Sequence, residues 1–419
     1  MGVALRREKV PVWVWFAPWV VGIAALCSGY ATGKGVSDFN VTHWLFTYDL
    51  EFTRRALVGT LLWGLVEPDP ALVRGLGVAL LVVCSAALIL FVSWALRRRP
   101  VAFGVGFMVL TAACPATLAQ FGYDCGRFDQ LNLLLFLAAL VLIVRGTVAA
   151  PLGVALLTVI ALLIHEAFVF THVPVLMGLM IHGSGGRVTR GLVLVAVVAL
   201  IVTALVIWFG SLEAVDHETY RNQLVERYDL SERSVYLSSR VLYRELPDNI
   251  ALATGTLSRR LLNWQSLAIL AALTPWLWVV LGTLRSLHTG IGSGHRRGYW
   301  LPVIVAASPL LLVVVSTDLF RWVSLSMLNL LVVTLVLVRI HPEADIRFHL
   351  SWKSLTVLVG LGLLAGPLGV ERPFPHSRLI WPFHLGPAGA LEQRITVLNN
   401  PLYHRQTRSA DPPIEASTL

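Results

Sequence analysis

The sequence predicts an all-α fold, a polytopic bundle of transmembrane helices, on three observations. Of the 419 residues, 56% are hydrophobic and only 14% are charged, and the mean hydropathy is +0.72. Soluble domains are nearer a quarter charged. Uncharged windows of about 16 to 23 residues recur, the length a helix needs to cross hydrocarbon. Charged and aromatic residues cluster in the interruptions between these windows. A net charge of +9 then belongs to short loops that set topology, not to a nucleic-acid surface. The four cysteines (Cys27, Cys84, Cys114, Cys125) form no CxxC pair, so neither a disulfide framework nor a zinc site follows.

The first element is a span near 12–30. It follows a basic N-terminus, is long enough to cross, and lacks a clean A-x-A site, which predicts an uncleaved helix. Ser37–Gly59 comes next and carries Asp38, His43, Tyr48, Asp49, Glu51, Arg54 and Arg55 among aromatics. Such a segment belongs at the membrane surface. Ala56–Val66 is apolar but too short to span, and reads as an interfacial helix. Further spans are expected near 74–96, 101–119, 131–145, 149–164, 167–182, 191–210, 263–284, 300–316, 322–339 and 354–370, about eleven in all. Residues 1–370 thus form one transmembrane unit with external loops 31–73 and 211–262. The second loop reads as one or two amphipathic helices. Residues 371–419 read as a short external tail.

The apolar run 151–181 is interrupted once, by His165-Glu166. One helix through it would bury both groups in mid-membrane, which is expensive. Two helices place Arg6, Arg7, Lys9, Arg97, Arg98, Arg99, Arg145, Arg187, Arg190, Arg285, Arg296, Arg297, Arg339, Arg347 and Lys353 on one face. That face is cytoplasmic by the positive-inside rule. Of the 24 acidic residues only Glu8, Glu343 and Asp345 share it. The other acids, with arginines, fall in five loops on the opposite face, which predicts one outward-facing site.

Each candidate has a plain structural alternative. Asp38 and Asp49 are solvated loop acids, or one takes the proton of an attacking hydroxyl. Arg54 and Arg55 snorkel to lipid headgroups, or hold a phosphate bidentately. Asp124, Arg127 and Asp129 stand before the fourth span. Asp318 and Arg321, spaced i, i+3, can pair on one helix face at the tenth. Each set is a local ion pair or a phosphate clamp. His165 and Glu166 form a helical-hairpin turn or part of the site, and metal binding there has no HExxH spacing behind it. Asn40-Val41-Thr42 is a glycosylation triplet of a kind that arises often by chance.

With Asp38, Asp49, Arg54-Arg55 and a short interfacial helix directly after the first span, the chain resembles the GT-C superfamily of integral-membrane glycosyltransferases. The resemblance is one of layout over about the first two-thirds of the chain. The acidic pair, close together in that superfamily, is here eleven residues apart. The resemblance implies transfer of a sugar from a polyprenyl-phosphate or pyrophosphate donor to an acceptor glycan, lipid or protein. The site would face outward from a bacterial cytoplasmic membrane, with the N-terminus inside. It implies Asp49, then Asp38, as base, and Tyr48, Arg54, Arg55, Asp124, Arg127, Asp129, His165, Glu166, Asp318 and Arg321 as substrate-binding groups. A divalent ion (Mg2+ or Mn2+) would be compatible, although the sequence does not require one. Two rival readings are an O-antigen-type polymerase or ligase, which usually shows a larger late loop, and a lipid-linked-sugar transporter or flippase, which expects ionisable groups at the midplane.

Overall fold

The computed structural model describes residues 12–243, 246–261, 264–292, 296–346 and 350–370, and these form helices and turns without a strand. Helix α1 (Val12–Gly33) leads into α2 (Asp38–Trp44), where the Ser37 hydroxyl accepts from the Asn40 N–H. A short α3 (Leu57–Trp63) stands where the interfacial helix was expected. Asp69 caps α4 (Pro70–Leu96), accepting from the Leu72 N–H at 2.6 Å, and Pro70 fills the first turn, where no N–H is needed.

The third predicted span is not one continuous helix. It breaks at Cys114-Pro115 into α5 (Val101–Ala113) and α6 (Leu118–Tyr123). Proline removes a helical N–H and pushes the residue before it to extended backbone. The Thr117 hydroxyl satisfies the freed Thr111 and Cys114 carbonyls at 2.5 and 2.9 Å. Next come α7 (Phe128–Arg145), α8 (Ala150–Ile164), α9 (Phe168–Thr171), α10 (Val173–Gly183) and α11 (Arg190–Phe209). The region 211–262 folds as α12 (His217–Tyr228), α13 (Glu232–Ser239) and α14 (Leu246–Leu261). The chain closes with α15 (Trp264–Gly290), α16 (Trp300–Val305), α17 (Leu319–Ile340) and α18 (Trp352–Ala365).

Among the described residues, six helical segments are long and apolar enough to cross a membrane: Phe16–Gly33, Pro70–Leu96, Val101–Tyr123, Phe128–Arg145, Arg190–Phe209 and Leu319–Ile340. The other five predicted segments also fall on helices, four of them shorter apolar ones and the fifth α15. Val101–Tyr123 and α17 are the centre of the bundle, 83% and 78% buried over their apolar windows, against 22% for α1 and for α11. The exposed face of α11 carries Leu200, Ile201, Trp208 and Phe209, an outward surface suited to lipid.

The helix breaks at His165, which is extended, and the chain then turns back. A methyl group added to Gly191 would press on Pro151, so α8 begins beside the start of α11, where α10 has just ended. The molecule therefore has two ends. At one, Arg99 donates to the carbonyls of Val338, His341, Pro342 and Ala344, and His182 meets His341 at 2.9 Å. This end gathers the loops that the charge pattern assigned to the arginine face. The acid-rich loops meet at the other end. Arg6, Arg7, Lys9, Arg347 and the expected tail 371–419 lie outside the described residues.

Candidate functional site

The acid-rich end holds a connected ionic network. It begins at Arg55, at φ +66 in the left-handed region that side chains avoid. The neighbouring residue fixes this turn: the Arg54 backbone N–H and its Nε both donate to the Gly210 carbonyl, and Nη2 donates to the Ser211 hydroxyl at 2.8 Å. Arg55 is thereby turned onto Glu166, with Nε 3.1 Å from both carboxylate oxygens and Nη2 closer still to Oε1. Glu166 Oε2 lies 3.4 Å from His165 Nδ1. On the other side of that ring, Nε2 is 3.2 Å from Arg321 Nη2. A guanidinium has no lone pair, so His165 Nε2 must accept. The Ala167 N–H donates to Nδ1 at 3.2 Å, so both ring nitrogens face donors and His165 stands as a neutral ring between Glu166 and Arg321.

Arg321, in the first turn of α17, grips Asp129 through Nε and Nη2, both at 2.7 Å. Asp129 is in the first turn of α7, where a carboxylate suits the helix dipole. Arg321 Nη1 reaches Asp318 at 3.0 Å, the pairing that their i, i+3 spacing predicted. Asp318 Oδ2 also faces Arg127 Nη1 at 3.6 Å, and Arg127 Nε faces Asp124 Oδ1 at 3.3 Å. Beyond Asp124, Gln120 donates to Oδ2 at 2.5 Å, held by reciprocal bonds to the Gly369 backbone. Exposures of 10–22% along the paired groups describe a network that is open to solvent at its edge, neither sealed nor on the surface.

The environment sorts the charges. Burial raises the pKa of Glu166, but Arg55 outweighs it and holds this carboxyl well below its usual range. Burial, then the Arg55 charge, lowers His165, with Glu166 opposing. Burial raises Asp124 above an ordinary carboxyl, although Arg127 and Arg321 oppose this.

Of the residues picked from sequence, Arg55, Asp124, Arg127, Asp129, His165, Glu166, Asp318 and Arg321 come together. Asp38, Tyr48, Asp49 and Arg54 do not join them. Asp38 is a tie between elements: Oδ1 pairs with Arg74 at 2.6 Å and Oδ2 accepts from the Ser231 N–H at 3.0 Å. Asp49 is exposed, accepts from the Thr47 hydroxyl at 2.8 Å, and is in no ion pair among the described residues. Tyr48 stacks on Phe52, its centroid 5.3 Å away, and burial pushes its hydroxyl up to about 12. Arg54 is committed to the 210–211 backbone and hydroxyl, as above. Asn40 is no glycan acceptor: it is buried and its amide donates to the Cys125 carbonyl at 2.8 Å.

Sequence reasoning noted His43 in the first loop without giving it a role, and missed Gln120. His43 packs edge-on against Phe39 and Phe46, with Nε2 3.5 Å from Arg55. Gln120 precedes Asp124 by one helical turn, an i, i+4 spacing that does signal a shared face. No group of three or more His, Cys, Asp or Glu side chains is arranged to hold a metal among the described residues. The network carboxylates face guanidiniums instead.

No family model, curated protein or solved structure matches the chain. What the chain does must be argued from this geometry.

Proposed function

We propose that the chain is a multi-pass membrane glycosyltransferase with about eleven spans. It would move a sugar from a polyprenyl-(pyro)phosphate donor to an acceptor glycan, lipid or protein. The network end would face outward from a bacterial cytoplasmic membrane. One observation supports this reading above the rest: arginines from separate loops meet at the mouth of the bundle, and one of them is loosely held. Arg321 and Arg55 are saturated by carboxylates at short range. Among the described residues Arg127 has ion-pair contacts of 3.3 and 3.6 Å and lies over the Phe39 ring, so it retains bonding capacity for a phosphate oxygen. Neutralising the charge that grows on a leaving phosphate is commonly the largest catalytic contribution.

The base follows from the same accounting. Glu166 and Asp129 are locked by guanidiniums and Asp38 by Arg74, which leaves them poor proton acceptors. Asp49 is exposed and, among the described residues, accepts from the Thr47 hydroxyl and is in no ion pair, which suits it to an acceptor arriving from water. A carrier is the second reading; Gln130, Leu133, Ser324 and Leu328, from α7 and α17, line a small cavity beside the network.

The test uses purified protein in lipid nanodiscs with lipid-linked sugars. Asp49→Asn should lower turnover by about 10²- to 10⁴-fold, the usual worth of a general base, with donor binding unchanged. Loss in Asp38→Asn instead would move the base to Asp38. Full transfer in both single variants and in the double variant would remove the first loop from the chemistry. Absence of transfer together with donor movement across proteoliposomes would favour the carrier.

A further inference from the structure

We infer that the ionic network binds one proton at neutral pH and that Asp124 is its seat. The inference does not rest on the proposed sugar transfer. Its first support is a count. Four carboxylates (Asp124, Asp129, Glu166, Asp318) are ion-paired with three guanidiniums (Arg55, Arg127, Arg321), while Arg54, close enough for Glu166 to act on it, spends its donors on Gly210 and Ser211. The two imidazoles do not make up the difference. His165 is neutral by its contacts, and His43 lies 3.5 Å from Arg55 and against three aromatic rings, where burial and then Arg55 lower its pKa well below the usual value. An unpaired anion in such a cluster is expensive, and a group in that position takes a proton instead.

The second support is independent. Gln130 is 2% exposed and lines the same cavity as Asp124, yet its Oε1 has no hydrogen-bond partner. The amide is not reversed: its Nε2 donates to the Phe121 carbonyl at 2.9 Å, which an oxygen could not do. The cavity therefore holds a buried acceptor that lacks a donor. A protonated Asp124 supplies one, directly or through a water.

Asp124 is the carboxylate best placed for the proton. Asp129 has two short bonds to Arg321, Glu166 is wrapped by Arg55 and His165, and Asp318 faces both Arg127 and Arg321. Asp124 meets only Arg127, at 3.3 Å, and the Gln120 amide, with Arg321 and Asp129 beyond them. Burial raises its pKa. The step is one proton from bulk water onto a carboxylate oxygen, with no other bond changed. It converts the cluster from one excess negative charge to neutral.

Infrared difference spectroscopy of the purified protein, titrated in nanodiscs, tests this. The wild type should show the carbonyl stretch of a protonated carboxylic acid at neutral pH. That band should shift in heavy water and vanish in Asp124→Asn. Asp318→Asn gives a second reading should Asp124→Asn fail to fold. Removing that carboxylate balances the cluster without the proton, so the Asp124 band should disappear at neutral pH although Asp124 is intact. A wild type with no such band would overturn the inference, as would a band that survives in either variant.

Discussion

At the residue scale, the pair that should matter most for stability is Arg321–Asp129, a bidentate bond between two mostly buried groups. Arg321→Ala strands Asp129 and Asp318 together, and breaking a buried pair from one side costs about 3–5 kcal/mol. Arg321→Lys should recover only part of this, because an ammonium cannot reproduce the fork. Denaturation of the protein in detergent measures both, and equal stability of Arg321→Ala and wild type would show that the pair is idle. The histidines predict a pH profile. His43 and His165 have folded pKa values below the ordinary 6.5, with burial and then Arg55 as the causes. Below 6.5 the unfolded chain binds protons that the folded chain refuses, so stability falls as pH drops from there. Glu166 is depressed below the ordinary 4.5, because Arg55 outweighs burial. Its contribution is present above 4.5 and is lost as pH falls through the folded value. Thermal stability should decline below about 6.5, with the Asp124 proton offsetting part of that decline, and decline further below about 4.5. His43→Gln should soften the first decline and spare the second. A His43→Gln profile that overlays the wild type would contradict the neutral-imidazole assignment.

At the element scale, α1 is held to α6 by glycine. A methyl group on Gly29 would run into the Ala119 carbonyl, and one on Gly122 into the Leu26 carbonyl. Gly29 and Gly33 have the four-residue spacing that brings helix backbones close in membranes. Gly29→Leu should therefore destabilise by at least the roughly 1–3 kcal/mol of an overpacked contact. Gly75, in α4, has open space around it, and Gly75→Ala should stabilise by about 0.5–1 kcal/mol. Thermal shifts of the same sign for the two would mean that α1 does not sit on α6 as described. The elements were mostly legible in the sequence, because apolar runs and caps such as Asp69-Pro70 are local signals. The break at Cys114-Pro115 was legible too, in the proline, but a hydropathy window averages over it.

At the scale of the whole molecule, the charge pattern forecast which loops would meet. Asp124, Arg127, Asp129, Glu166, Asp318 and Arg321 are far apart in the chain, and their shared end follows from topology alone. The partners did not follow. That Arg321 would take Asp129 across 192 residues, and that Asp38 would be used up by Arg74, depend on tertiary contacts that spacing does not encode. Gln130 was invisible for the same reason, since its amide matters only through the bonds it lacks. The central claim is that this network serves a lipid-linked phosphate through Arg127. Binding of a short-chain polyprenyl phosphate to the purified protein tests it most directly. Loss of a charge-assisted bond of about 1.5–3 kcal/mol should weaken binding by roughly 10- to 150-fold in Arg127→Ala. Asp49→Asn should bind as the wild type does. Undiminished binding in a folded Arg127→Ala protein, or no binding by the wild type, would contradict the account.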